Sequence, residues 1–296
     1  MRILITGGTG LIGKHLVPSL LQDGHQVVVL SRQGRAADHP ALQYLAWDGR
    51  HIDAATVGTA DAIINLAGAG IADHKWTAAY KQTIIDSRVQ ATRAVVAFIR
   101  QQAQPPQVLL QSSAVGYYGT HPTKVFSEAD GPGKDFLAKS CTPWEAEAQD
   151  AGIRTVWVRT GIVLAKEGGA FPKLLQPFKF YAGGYLGDGK QPFPWIHMQD
   201  IVNIYRFALT NPAVSGPLNA VAPEQMTNRD FAKVLGKLLG KPSGLPVPAF
   251  AIRTMLGEQA VLVLEGQHVS CQKLQALGYT FAYSHAPDAV ASLVKD

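Results

Sequence analysis

The first thirteen residues constrain this chain more than any other stretch. Ile3, Leu4 and Ile5 form a short apolar run, and glycines follow as Gly7-x-x-Gly10-x-x-Gly13. Leu11, Ile12, Leu16, Val17 and Leu20 then recur at helical spacing. The pattern predicts a buried strand, a tight turn and a helix. In a dinucleotide-binding turn one glycine permits the sharp bend, one lets the pyrophosphate approach the backbone, and one lets the helix pack closely on the strand. The helix N-terminus offers free N–H groups and a partial positive charge to the phosphates. Thr6, Gly7, Gly10, Leu11, Ile12 and Gly13 are therefore expected to hold a dinucleotide. A turn of this kind that carries no ligand is the weaker alternative, because strand and helix flank it in the required order.

The same rhythm continues. Strands are expected at 26–30, 43–46, 62–66, 108–110 and 155–158, with a long helix over 77–102 that Pro105 and Pro106 end. Pro143 suits the first turn of a helix over 143–151. Strands alternating with helices imply a parallel sheet covered on both faces. The expected fold is α/β: a doubly wound parallel Rossmann sheet over 1–160, with a smaller mixed C-terminal lobe over 161–296 that partly interleaves with it. In that lobe helices are expected at 200–209, 228–239, 249–264 and 287–294, although 260–264 also fits a short strand.

Composition narrows the function classes. A chain of 296 residues makes one large or two modest domains. The net charge is +5, but charged residues are only 17% and no Lys or Arg residues are consecutive, which argues against nucleic acid. From Arg159 to Lys190 the balance is basic, either as a solvated face or as an attraction for an anionic cofactor or substrate. Cys141 and Cys271 are too few for a disulfide framework or a metal cluster. The first strand begins at Arg2, so no leader is expected. The apolar region 246–264 is broken by Arg253 and Glu258, so no membrane span is expected. These features suit a cytoplasmic protein acting on a small molecule, and they leave the oligomeric state open.

Candidate binding residues lie at the strand ends. Ser31 and Arg32 follow the second strand, where an acidic residue would bind the adenosine ribose and select NAD. A hydroxyl and a guanidinium there, with Arg35 close behind, favour the 2′-phosphate of NADP(H). Asp48 either accepts from the adenine amino group or caps its own turn. Asn65, Leu66, Ala67 and Gly68 end the fourth strand at the carboxyl edge, where ligands bind in open α/β sheets.

The glycine turn, Asn65-Leu66-Ala67-Gly68, the segment 112–119 (SSAVGYYG) and the segment 195–202 (WIHMQDIV) together resemble an extended short-chain dehydrogenase/reductase. Lys75-Trp76, Ser87-Arg88-Val89, the segments 141–148 and 159–164, and 245–266 narrow the resemblance to the atypical subgroup of "epimerase family proteins", similar to NADP-dependent nucleoside-diphosphate-sugar epimerases. The resemblance covers essentially the whole chain. It implies an NADP-binding Rossmann lobe and a C-terminal substrate lobe.

The chain departs from the wider family at the catalytic pair. Members of that family use Tyr-x-x-x-Lys, in which the lysine lowers the tyrosine pKa and the tyrosine exchanges a proton with substrate. The matching turn here is Cys141-x-x-x-Glu145. A carboxylate in the lysine's place is expected to raise the thiol pKa. Alignment on Tyr118-Gly119 puts Ala114 at the usual serine position, and Ser113, one residue away, could serve if the turn is bulged. Tyr117 and Tyr118 are further candidate proton donors. Lys81 and Arg88 share a helix face and could grip a substrate carboxylate or phosphate, or simply be solvated. His197 belongs to a possible substrate-lobe hinge, and no metal is expected.

Overall fold

The computed structural model describes residues 1–294. Strand β1 (Arg2–Thr6) leads through the glycine turn into helix α1 (Gly13–Gln22). Then come β2 (Gln26–Ser31), β3 (Leu42–Ala46), β4 (Ala62–Asn65) and the long helix α2 (Ala78–Gln101). They are followed by β5 (Val108–Ala114), α3 (Phe136–Glu147), β6 (Arg154–Thr160), α4 (Met198–Thr210) and β7 (Gly216–Ala220). The seven strands form one sheet in the order β3-β2-β1-β4-β5-β6-β7, every pair parallel. The order reverses between β1 and β4, which is the topological switch point of a Rossmann sheet.

The apolar runs are continuous because the sheet is buried on both faces. Ile3 and Ile5 pack with Leu16, Leu20, Ile204 and Ala208 of α1 and α4 on one face. Leu4, Ile63 and Leu109 pack with Val95, Phe98 and Ile99 of α2 on the other. Thr77 caps α2 by accepting from the Tyr80 amide at 3.1 Å, an interaction that contributes about 1 kcal/mol.

Helix α3 begins seven residues before the expected position, because Asp135 accepts from the Ala138 amide at 2.9 Å and caps it there. Pro143 thus lies inside the helix rather than in its first turn. Cys141 and Glu145 therefore lie within the helix, one turn apart on the side that faces β5 and β6.

Outside the main sheet the chain builds short parallel pairs. Ile162–Leu164 joins Trp195–His197, Gly184–Leu186 joins Leu245–Val247, and His121–Phe126 joins Gln267–Val269. A third core of Phe171, Phe178, Phe193, Trp195 and Phe231 holds this part together. Residues 249–264 are helical in three short pieces, so the strand alternative at 260–264 does not occur. Among the described residues no helix is long and apolar enough to cross a membrane.

Candidate functional site

The glycine turn is built as a phosphate cradle. Gly7 has φ +68°, and a Cβ on it would stand 2.7 Å from the Leu66 carbonyl. A Cβ on Gly13 would meet the Gly8 backbone at 2.5 Å, so helix and turn touch without side chains between them. Gly10 has ordinary backbone angles, and a Cβ there would meet only the Gly7 oxygen, at 3.2 Å. The amides of Leu11, Ile12 and Gly13 donate to no acceptor among the described residues. Three free N–H groups at the start of a ten-residue helix suit a pyrophosphate. The residues present therefore fit a dinucleotide.

The end of β2, where the adenosine is expected, is marked by charge. Arg32 is exposed and without a protein partner among the described residues. Arg35 is already engaged: it donates to the Tyr44 hydroxyl at 2.5 Å and stacks on that ring. The Ser31 hydroxyl closes a turn onto the Gln33 carbonyl at 2.7 Å. The Asp48 carboxylate accepts from the Arg50 amide at 2.8 Å, so the turn-capping alternative is realised. That amide and the one of His51 hold the Asp48 pKa down. A cleft of about 470 Å³ lies alongside, between α1 and β3, with Lys14, Arg35 and His39 in its wall.

At the switch point, Asn65 is fully buried and wholly committed. It accepts from Thr6 at 2.5 Å and donates to Thr92 at 3.0 Å and Gln111 at 2.9 Å. This network ties β1, β4, β5 and α2 together directly below the Leu66-Ala67-Gly68 segment. The Ala69 amide donates to Ser87 at 3.0 Å, and the Tyr80 hydroxyl to the Gly70 carbonyl at 2.6 Å, which pins the loop to α2.

The candidate catalytic positions form a second buried network. Glu145 is 7% exposed and Arg159 only 3%. Arg159 grips the carboxylate with both Nε (2.9 Å) and Nη2 (2.8 Å), and Ser113 donates to Oε1 at 2.6 Å. The remaining Arg159 nitrogen donates to the Tyr118 hydroxyl at 3.0 Å, which donates in turn to Asn219 at 2.6 Å. Glu128 joins at the same residue by accepting from the Asn219 backbone N–H at 2.9 Å. Burial opposes the charge on Arg159, but its bonds to Glu145 overcome this and raise its pKa. Strand β5 is not bulged here: Ser113 pairs with Arg159 and Ala114 with Thr160 in regular register.

Glu145 is paired with Arg159 rather than bare, yet the expected rise of the Cys141 thiol occurs. The Cys141 thiol is pushed up to about 11, chiefly by burial; Arg88 pulls it down and Glu145 adds a smaller upward push. Arg159 also leaves the basic surface tally, since it is buried. The sequence offered one signal for it, a cation inside the apolar run of β6, but nothing to pair it with Glu145. Asn219, Glu128 and Trp144 were likewise not anticipated.

The two tyrosines separate. Burial pushes Tyr118 up to about 12, and its hydroxyl is held by Arg159 and Asn219. Tyr117 is only part-buried, its ring lies 3.6 Å from the Arg159 guanidinium carbon, and its hydroxyl bonds to nothing among the described residues. Lys81 and Arg88 also separate. Lys81 is paired with Glu258 and lies over the Trp76 and Phe136 rings. Arg88 sits beneath Gly68 against Trp144. His197 is a helix cap: Nδ1 accepts from the Gln199 amide at 3.1 Å and Nε2 lies 3.2 Å from Ser292 Oγ. Among the described residues no group of His, Cys, Asp and Glu could hold a metal ion.

Comparison with known proteins agrees with this architecture. The model of the NAD dependent epimerase/dehydratase family matches residues 3–221, and a domain of unknown function (DUF1731) matches 247–293. An epimerase family protein of Bacillus subtilis is 39% identical, with 100% of this chain and 99% of the relative covered. The crystal structure of a human epimerase family protein with NADPH is similar at TM-score 0.90 and 34% identity, covering 99% of each chain. A UDP-glucuronic acid 4-epimerase from Bacillus cereus, solved with NAD, shares the fold at TM-score 0.78 and 18% identity, over 98% of this chain and 96% of that one. A family match of that extent, on a sheet already ordered as a Rossmann fold, makes the chain a member of the NAD dependent epimerase/dehydratase family.

Proposed function

We propose that the chain is an NADP(H)-dependent oxidoreductase or epimerase acting on a small polar substrate, with nucleotide-sugars the first class to test. The observation that carries the reading is the glycine turn, with its three free amides, in line with an unpaired Arg32 at the end of β2. The turn receives the pyrophosphate and Arg32 the 2′-phosphate. Residues 1–160 serve as the cofactor lobe and 161–296 as the substrate lobe, in a cytoplasmic protein. NADPH crystallised with the human relative supports the cofactor, and UDP-sugar complexes of distant fold relatives suggest the substrate class.

NADP(H), when bound, supplies or takes up the hydride. The proton is the task of this chain's own residues. Ser113, Glu145 and Tyr118 are consumed by their internal bonds, and the buried Cys141 thiol is a poor donor at neutral pH. Tyr117 has a free hydroxyl in the turn that follows β5, at the carboxyl edge of the sheet. We assign it as the proton donor, with Arg159 holding its ring.

A second reading is non-catalytic: an NADP-binding regulatory or redox-sensing protein. The absence of the Tyr-x-x-x-Lys pair, and the closure of Ser113 and Tyr118 into a structural network, favour it. A screen of sugars and carbonyl compounds, followed by NADPH absorbance and by product analysis for redox-neutral epimerisation, decides between the two. The first reading expects turnover that falls about 10²–10⁴-fold in Tyr117→Phe and survives Cys141→Ala and Tyr118→Phe. Turnover that collapses in Cys141→Ala and survives Tyr117→Phe overturns the assignment. Tight NADPH binding with no turnover across the screen supports the second reading.

A further inference from the structure

Arg88 is a part-buried cation that no carboxylate neutralises. One of its nitrogens donates to the Ile84 carbonyl at 2.8 Å, and the guanidinium makes no ion pair among the described residues. Its charged neighbours are few: Asp73 attracts it from beyond ion-pair distance, and Cys141 and Tyr80 are held protonated at neutral pH. Burial lowers the Arg88 pKa from its ordinary value, yet a guanidinium remains charged.

The surroundings are made to admit it. A Cβ on Gly68 would stand 3.0 Å from Arg88 Cγ, so glycine at the carboxyl edge of β4 leaves room for the side chain to pass beneath the loop. The Trp144 ring lies 5.0 Å from the guanidinium carbon. Trp144 is 6% exposed and its indole N–H, fully buried, donates to nothing among the described residues. Native proteins seldom leave a buried donor unsatisfied. Here the indole N–H of Trp144 is such a donor, and it lies against a part-buried Arg88 whose Nε and Nη2 bond to nothing among the described residues. Both are donors, and the neighbouring Cys141 thiol is also protonated. The missing partner is thus an acceptor, and a bidentate guanidinium calls for a planar or tetrahedral oxyanion.

We propose that Arg88 and Trp144 form an oxyanion subsite, which takes a carboxylate or phosphate group of the substrate beside Cys141. The proposal deepens the reading above and rests on it for the bound molecule being a substrate. Lys81, which shares the helix face, has its own partner in Glu258 and does not contribute.

The test is calorimetric titration of malonate, and separately of inorganic phosphate, into protein saturated with NADP⁺. The comparison of the two probes tells a carboxylate subsite from a phosphate one. The unmutated protein should bind at least one of them saturably. Arg88→Met should weaken that binding about tenfold or more, Trp144→Phe should weaken it less, and NADPH affinity should stay within about twofold. Should Arg88→Met fail to fold, Arg88→Lys keeps the charge, loses the paired geometry, and should still weaken binding. The proposal is overturned if neither anion binds, if the variants bind it unchanged, or if NADPH affinity falls in parallel, which would give Arg88 to the cofactor. Arg88-dependent anion binding without turnover in the substrate screen would keep the subsite and remove the oxidoreductase reading. Turnover with anion binding indifferent to Arg88 would do the reverse.

Discussion

Replacing Arg159 by methionine is the sharpest perturbation of the buried network. Methionine has a similar length, so the volume is largely kept, but the Glu145 carboxylate loses two bonds of 2.9 and 2.8 Å. It retains one, from Ser113 at 2.6 Å, at a site where the side chain is 9% exposed and water gives little help. Tyr118 loses its Arg159 contact and keeps Asn219. Removing one partner of a buried ion pair costs about 3–5 kcal/mol, a large share of the roughly 5–15 kcal/mol that holds a domain folded. Urea unfolding followed by circular dichroism should show a loss of that size in Arg159→Met. The double variant Arg159→Met/Glu145→Met should recover most of it, since no unpaired charge remains. A loss below about 1 kcal/mol in the single variant, or additive losses in the double, would refute the claim that the two groups neutralise each other in the core.

Gly10→Val should abolish NADPH binding in a fluorescence titration and leave the circular dichroism spectrum intact. The backbone there is unstrained and the nearest atom to the new Cβ is 3.2 Å away, so the side chain mainly fills ligand space. His197 should make stability fall in acid. Burial lowers its pKa to about 4, against about 6.5 in the unfolded chain. The unfolded state therefore binds the proton first, and stability is lost as pH drops from about 6.5 toward 4, by up to about 1.4 kcal/mol per pH unit. His197→Asn keeps an N-cap acceptor but cannot titrate, so denaturation midpoints measured across that window should slope less.

The first six sheet strands were legible because each is an apolar run long enough to be recognised and bounded by glycine or proline. The glycine turn reads as a dinucleotide cradle because its spacing and its context agree. Helix α3 was misplaced because its cap, Asp135, sits in a glycine- and proline-rich stretch, and Pro143 mimicked a helix start. The strand His121–Phe126 was invisible: five of its six residues are exposed and it pairs only across 145 residues or so with Gln267–Val269. The epimerase-family resemblance rested on motifs that survive as short words, and the family match bears it out. The core of the site did not read in the same way. That Arg159 faces Ser113 is a matter of strand register, and that it meets Glu145 depends on how α3 packs on β6. Neither is encoded locally.

We infer that the chain binds NADP(H) through its glycine turn and selects it over NAD(H) through Arg32. Calorimetric titration of NADPH and NADH into the unmutated protein and Arg32→Ala tests it most directly. A bond to a charged group contributes about 1.5–3 kcal/mol, so NADPH should bind roughly tenfold to a hundredfold more tightly than NADH. Arg32→Ala should remove most of that preference and leave NADH affinity nearly unchanged. Equal affinities for the two cofactors in the unmutated protein would contradict the account.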